Sequence, residues 1–178
     1  LSDSFVKSSL RSVSDPTNEI TDIFANTGKH AVLLESKELA VVSEDLVSGK
    51  KSEKRTARSI RKAMKQLRGA VKYIYNHSEA YDWKNDKIGL GNWEHSWAII
   101  VVSDIRRIPV EHNDIISELE NFEKETQTII NVMDTNLLFR AVQYANIIAE
   151  EENDLNIGDH FVAWLLQRRL MVDRCRNL

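Results

Sequence analysis

The sequence predicts an α/β fold, a single domain with a central mixed β-sheet flanked by helices, and three features carry that prediction. Ile20 to Ala25 and His30 to Ser36 are β-prone runs joined by Asn26-Thr27-Gly28-Lys29, whose Asn and Gly supply positive-φ turn chemistry, so they read as a β-hairpin. Trp97 to Ser103 (WAIIVVS) is a nearly continuous apolar run rich in β-branched residues, as expected of a mid-sheet strand covered on both faces. Between them Ile60, Ala63, Met64, Leu67, Ala70, Val71 and Ile74 recur at helical spacing, which predicts a long amphipathic helix. At 178 residues and 42% hydrophobic, the chain is long enough for one core that needs no disulfide or structural metal.

The remaining elements follow in order. Glu38 to Val42 extends the second strand or starts a short third one, and Ser43 to Lys51 is a polar loop with Gly49. Asn76 to Asn92, polar and containing Gly89 and Gly91, reads as a loop. A helix over Asn113 to Thr126, a short strand over Ile129 to Met133 and helices over Leu137 to Ala149 and Asp159 to Val172 complete the chain as extra C-terminal elements. Asp134-Thr135 suits an N-cap for the first of these last two helices, and Gly158-Asp159 for the second.

Composition narrows the class. The single cysteine, Cys175, permits no disulfide framework and no cysteine-rich zinc site within the chain, which favours a reducing, cytoplasmic compartment. No apolar run approaches bilayer-spanning length, and LSDSFVKSSL has neither a basic nor an apolar leader region, so no membrane is expected. Net charge is −3, yet it is unevenly spread. Ten Lys and Arg residues from Lys50 to Lys72 face one acid, Glu53, whereas acids dominate beyond Pro109.

Chemistry gathers in the hairpin. Side chains alternate along a strand, so Ala31, Leu33, Glu35 and Lys37 share one face of the second run. Two charges leaving a run that otherwise demands burial are unusual. Ile20, Asp22 and Phe24 share a face of the first run. A turn symmetric about Thr27 and Gly28 sets Asp22 opposite Leu33 and diagonal to Glu35, roughly 7–8 Å away between α-carbons. Two carboxylates then converge, and a pair of hard oxygen ligands suits Mg²⁺ or Mn²⁺. On the long helix Arg55, Ser59, Lys62, Gln66 and Tyr73 line one edge of the apolar stripe, a polar and partly basic margin suited to phosphates.

The string Glu19-Ile20-Thr21-Asp22-Ile23-Phe24, the turn and His30-Ala31-Val32-Leu33-Leu34-Glu35-Ser36-Lys37 resemble the core of PD-(D/E)xK nucleases, the restriction-endonuclease-like superfamily. Gln66-Leu67-Arg68-Gly69-Ala70 is similar to the helical glutamine motif of several of its branches. The resemblance spans about Glu19 to Tyr75. It implies a restriction-endonuclease-like core, metal binding by Asp22 and Glu35, orientation or activation of water by Lys37 assisted by Gln66, and hydrolysis of nucleic acid, with DNA the expected substrate. Arg55, Ser59 and Lys62 would then line the nucleic-acid side. Many members carry another acid on a helix ahead of the first strand; Ser4 to Arg11 has none, and Asp3 just before it is the one candidate.

Plainer readings stand beside these. Asp22 suits a strand-end residue paired with Lys29 or Thr27, and Glu35 and Lys37 suit the point where a strand leaves the core. Arg61, Lys65, Arg68 and Lys72 suit a solvated helix back, and the later acids a solvated face away from nucleic acid. Trp93 and Trp97 read as packing, while Phe161, Trp164, Leu165 and Val172 read as core or as a contact in a homo-oligomer. Three function classes result: a Mg²⁺-dependent nuclease, a catalytically degenerate module of the same fold that binds nucleic acid or protein, and a structural or assembly domain.

Overall fold

In a computed structural model, residues 5–37, 49–103, 113–153 and 156–176 are described, and they form a seven-stranded mixed sheet with four helices. In chain order the elements are β1 (Phe5–Arg11), β2 (Glu19–Asn26), β3 (His30–Lys37), α1 (Gly49–Asn76), β4 (Glu79–Tyr81), β5 (Lys87–Gly89), β6 (His95–Val102), α2 (Asn113–Thr126), β7 (Ile129–Asp134), α3 (Thr135–Glu151) and α4 (Ile157–Arg176). The sheet order is β5-β4-β1-β2-β3-β6-β7, antiparallel from β5 to β3 and parallel from β3 to β7. The hairpin, the long helix, the strand covered on both faces and the helices that follow are therefore where the sequence puts them, although that strand, β6, lies next to the edge strand β7 rather than mid-sheet. The expected strand over Glu38 to Val42 and most of the loop after it lie outside the described residues.

Alternation along the strands builds two cores. Leu33, Ala98, Ile100 and Val102 turn to α1 and α2, where Ile60, Met64, Leu67, Ile115 and Phe122 meet them. Val32, Leu34, Trp97, Ile99, Val101 and Met133 turn the other way, onto Val162 and Leu165 of α4 with Leu137 and Leu138 of α3 beside them. Each fully buried Leu, Ile or Phe adds about 2 kcal/mol of transfer free energy. From Ser96 onward β6 is buried on both faces, which accounts for its unbroken apolar run. In α3 the buried residues are Ala141, Ala145 and Ala149, small side chains four apart that let α4 pack closely.

Three local expectations are corrected. Phe5 to Arg11, in the segment compared with a family helix, is a strand, β1, paired to β2 with a register shift between Leu10 and Arg11, and Ser9 within it takes φ 48°. The loop over Asn76 to Asn92 holds a small ribbon, β4 and β5, that carries Ala80 and Leu90 into the core. Asp134 caps α3 as expected, accepting from Leu137 N (2.8 Å), but α4 begins at Ile157 and Asp159 lies in its first turn rather than at its cap.

The sheet edge at β7 is closed by side chains. Ile130 N donates to Glu123 Oε1 (2.9 Å), Glu123 is paired with Arg169, and Arg168 Nη1 approaches Val132 O at 3.5 Å. Side chains of helices from opposite faces thus meet around the outer rim of β7, and Ile130 N and Val132 O are withdrawn from pairing with another chain. No helix among the described residues is long and apolar enough to cross a membrane.

Candidate active site

The β2–β3 turn decides the geometry. Asn26 Oδ1 accepts from Gly28 N (2.7 Å), Gly28 takes φ +89°, and Thr27 N donates to His30 O (2.9 Å). The loop therefore contains only Gly28 and Lys29, and the pairs run Asn26↔Ala31, Ala25↔Val32, Phe24↔Leu33, Ile23↔Leu34. Continued one step, this register sets Asp22 level with Glu35, a correction of two residues to the expected register. Directly opposed β-carbons of a regular ladder lie about 5 Å apart, and Asp22 is near enough for its charge to act on the Glu35 carboxyl.

The Glu35 and Lys37 tips meet on the face under α1, and the Asp22 charge is near enough to act on Glu35. Glu35 is 1% exposed, at the end of a strand whose other residues on that face, Ala31 and Leu33, are core. Lys37 Nζ lies 2.8 Å from Glu35 Oε2. Asp22 Oδ2 accepts from Ser36 N at 2.6 Å, so Asp22 is tied across the hairpin to the residue between Glu35 and Lys37, and not to Lys29 or Thr27. Burial pushes the Glu35 carboxyl above its ordinary range; the Lys37 hydrogen bond opposes this, the nearby Asp22 charge adds to it, and the rise wins.

The surroundings suit a small, hard ligand. The site is at the carboxyl end of β3, level with Val102 at the end of parallel β6, the end at which open α/β sheets present ligands. Two carboxylates are as many protein ligands as a Mg²⁺ ion usually takes, the rest being water and substrate oxygens. Among the described residues no group of three or more His, Cys, Asp or Glu gathers at one place, so this pair is the acidic complement available.

Comparison with known proteins brings no relative. No family model, curated protein or solved structure matches this chain. The site is therefore described by its own geometry.

The helical candidates divide. Arg55, Lys62 and Gln66 are exposed on α1 and Ser59 is half-buried. Tyr73 on the same flank accepts from Val13 N (2.9 Å) and donates to Glu79 O (3.0 Å), so this flank overlooks the exit of β1 and the start of β4. No hydrogen bond among the described residues joins Gln66 to Asp22, Glu35 or Lys37. The opposite flank is committed elsewhere: Arg61 pairs with Asp114 and Glu118, and Arg68 with Glu125. Asp114, Glu118 and Glu125 of α2 thus partner the basic helix through exposed ion pairs, while Glu120 and Glu150 to Glu152 are exposed.

The aromatic residues before β6 pack. Phe24 and Trp93 meet edge-on at 6.1 Å, and Trp97 is buried beside His30, which stacks on His95 at 5.7 Å. Sequence reasoning missed two things here. The Ser36 N–H as anchor of Asp22 follows only from the register, and the exposed Trp83 was hidden inside an expected loop.

Proposed function

We propose that this chain is a Mg²⁺-dependent phosphodiesterase acting on nucleic acid, with DNA as substrate, in the manner of the PD-(D/E)xK nucleases that its hairpin resembles. The observation that carries the reading is the buried Glu35 carboxylate held beside Lys37 and across from Asp22 at the end of β3. Burying a charge is costly, and a raised carboxyl next to a second acid marks a place where structure has been spent on something other than stability. In this reading Asp22 and Glu35 hold the divalent cation, which when bound lowers the pKa of a water and neutralises phosphoryl oxygens. Lys37 places an ammonium where negative charge develops on the phosphate, and the Ser36 N–H keeps Asp22 turned to the site. Arg55, Ser59 and Lys62 lie on the α1 flank that would follow the nucleic-acid backbone, and Gln66 assists only if substrate draws it in.

A second reading keeps the fold and drops the chemistry. Lys37 already compensates Glu35, and the acid expected ahead of the first strand has no counterpart on β1, which favours a module that binds nucleic acid or protein without cleaving.

Incubation of the chain with linear and supercoiled DNA in Mg²⁺, Mn²⁺ or EDTA separates them. The nuclease reading expects cleavage with either metal, none in EDTA, and loss on Glu35→Ala or Lys37→Ala. Cleavage that is absent, or indifferent to metal and to both substitutions, defeats it.

A further inference from the structure

Trp83 stands at the tip of the β4–β5 ribbon with 56% of its surface exposed. The tip is fixed by other groups. Asp82 N donates to Asp86 O (3.0 Å) and Asn85 N to Asp82 O (2.9 Å), with Asn85 at φ 64°. The buried Asp82 carboxylate accepts from Lys84 N (2.9 Å) and Asp86 N (3.0 Å) and faces Lys7 Nζ at 3.5 Å. Desolvation pushes that carboxyl up, but the two N–H groups and the ammonium outweigh it and hold it below the ordinary range. Arg11 Nη1 donates to Asn85 Oδ1 (3.2 Å) and ties the tip to β1.

None of these bonds uses the indole. The turn's hydrogen bonds therefore do not account for a tryptophan at position 83, and the indole lies outside both core clusters. Lys84 Nζ lies 5.2 Å over the Trp83 ring, within cation–π range. The hydrogen-bonded hairpin therefore holds out an indole with an ammonium over one of its faces, which leaves the other face for a flat ligand and little conformational entropy to lose on binding.

We propose that Trp83 is a stacking platform for an unpaired base of a single-stranded nucleic acid, with Lys84 as its phosphate contact. Every base has a π-face, so such stacking tolerates any sequence, and an adjacent ammonium supplies the backbone attraction that accompanies it. β4 stands two places from β2 in the sheet with β1 between them, so the platform belongs to the same sheet as Asp22. The assignment rests on the nucleic-acid reading above and names the form of nucleic acid that the protein takes.

The test is a titration of the whole chain with a fluorescently labelled oligo(dT) strand in EDTA, which removes hydrolysis from the measurement. Trp83→Ala weakens binding by roughly tenfold, whereas Trp83→Phe retains most of the affinity. Lys84→Ala lowers the slope of log affinity against log salt by about one. The Tm of Trp83→Ala matches that of the parent, because the indole is not in the core. Affinity of Trp83→Ala within about twofold of the parent overturns the platform, as does a parent that does not bind. Mg²⁺-dependent cleavage, with Glu35→Ala as control, judges the hydrolytic reading separately. Trp83-dependent binding without cleavage upholds the platform and removes the catalysis; cleavage with Trp83-independent binding removes the platform alone.

Discussion

Lys37 Nζ sits 2.8 Å from Glu35 Oε2, and the pair is two residues apart on a strand that is otherwise core on that face. The Glu35 carboxylate is almost fully buried, so the ammonium is what makes its charge tolerable there. Lys37→Met leaves that charge uncompensated and is expected to cost about 3 kcal/mol, while Glu35→Gln with Lys37 intact costs less, because the ammonium reaches solvent more easily. Urea midpoints measure both. If Asp22 and Glu35 hold Mg²⁺, adding it recovers part of the Lys37→Met loss; an unchanged midpoint counts against the metal.

His30 bridges the hairpin to α4. Its Nδ1 is 3.4 Å from Trp97 Nε1 and its Nε2 is 3.8 Å from Asp159. Burial pushes the imidazole below its usual pKa; Asp159 opposes this, and His95 and Lys29 reinforce it. The folded state therefore binds its proton more weakly than the unfolded chain does. This contribution is fully present above about pH 6.5 and is lost as pH falls through the lower folded value. Denaturation midpoints should drop on acidification over that window, and His30→Gln should flatten the drop. An equal drop in the variant would assign the effect to other groups.

Gly158 marks where α4 meets the β2–β3 turn. A Cβ there would come within 2.2 Å of Thr27 Cγ2 and 2.7 Å of Thr27 Cβ. Replacing a helical Gly by Ala ordinarily stabilises by about 1 kcal/mol. Here the overlap with a stiff β-branched side chain outweighs that gain, and Gly158→Ala is expected to destabilise by about 1–3 kcal/mol. Adding Thr27→Ser, which removes the nearer methyl, should return part of the loss. A gain in Tm for Gly158→Ala alone would refute the close approach.

Glu123 covers the open edge of the sheet. Glu123→Ala leaves the Ile130 N–H without its acceptor and Arg169 without its carboxylate, and about 2 kcal/mol of stability should go with them. The variant should also self-associate, since β7 regains a free strand edge. Static light scattering against concentration checks this. By contrast Arg61→Ala should cost under about 1 kcal/mol, because its ion pairs with α2 are exposed.

Much of this was legible along the chain because it depends on local pattern. The alternation in His30 to Lys37, the apolar run into β6 and the helical spacing from Ile60 to Ile74 each name their element, since period and burial are written into neighbouring residues. That Glu35 and Lys37 share a face follows from alternation alone. Short elements were not legible: β4 and β5 have three residues each, and their places are set by β1 and by Asp82 rather than by their own propensity.

By itself the sequence determined which residues form the hairpin and the long helix and that two charges leave the core together, because those properties repeat over residues adjacent in the chain. Only the tertiary structure decided that Asp22 faces Glu35, that the acids of α2 take up Arg61 and Arg68, that Glu123 and Arg169 close the β7 edge, and that an indole is held out on the β4–β5 turn. Those outcomes rest on a two-residue turn choice and on contacts between distant segments, where a shift of a single position along a strand changes every partner while leaving the local pattern intact.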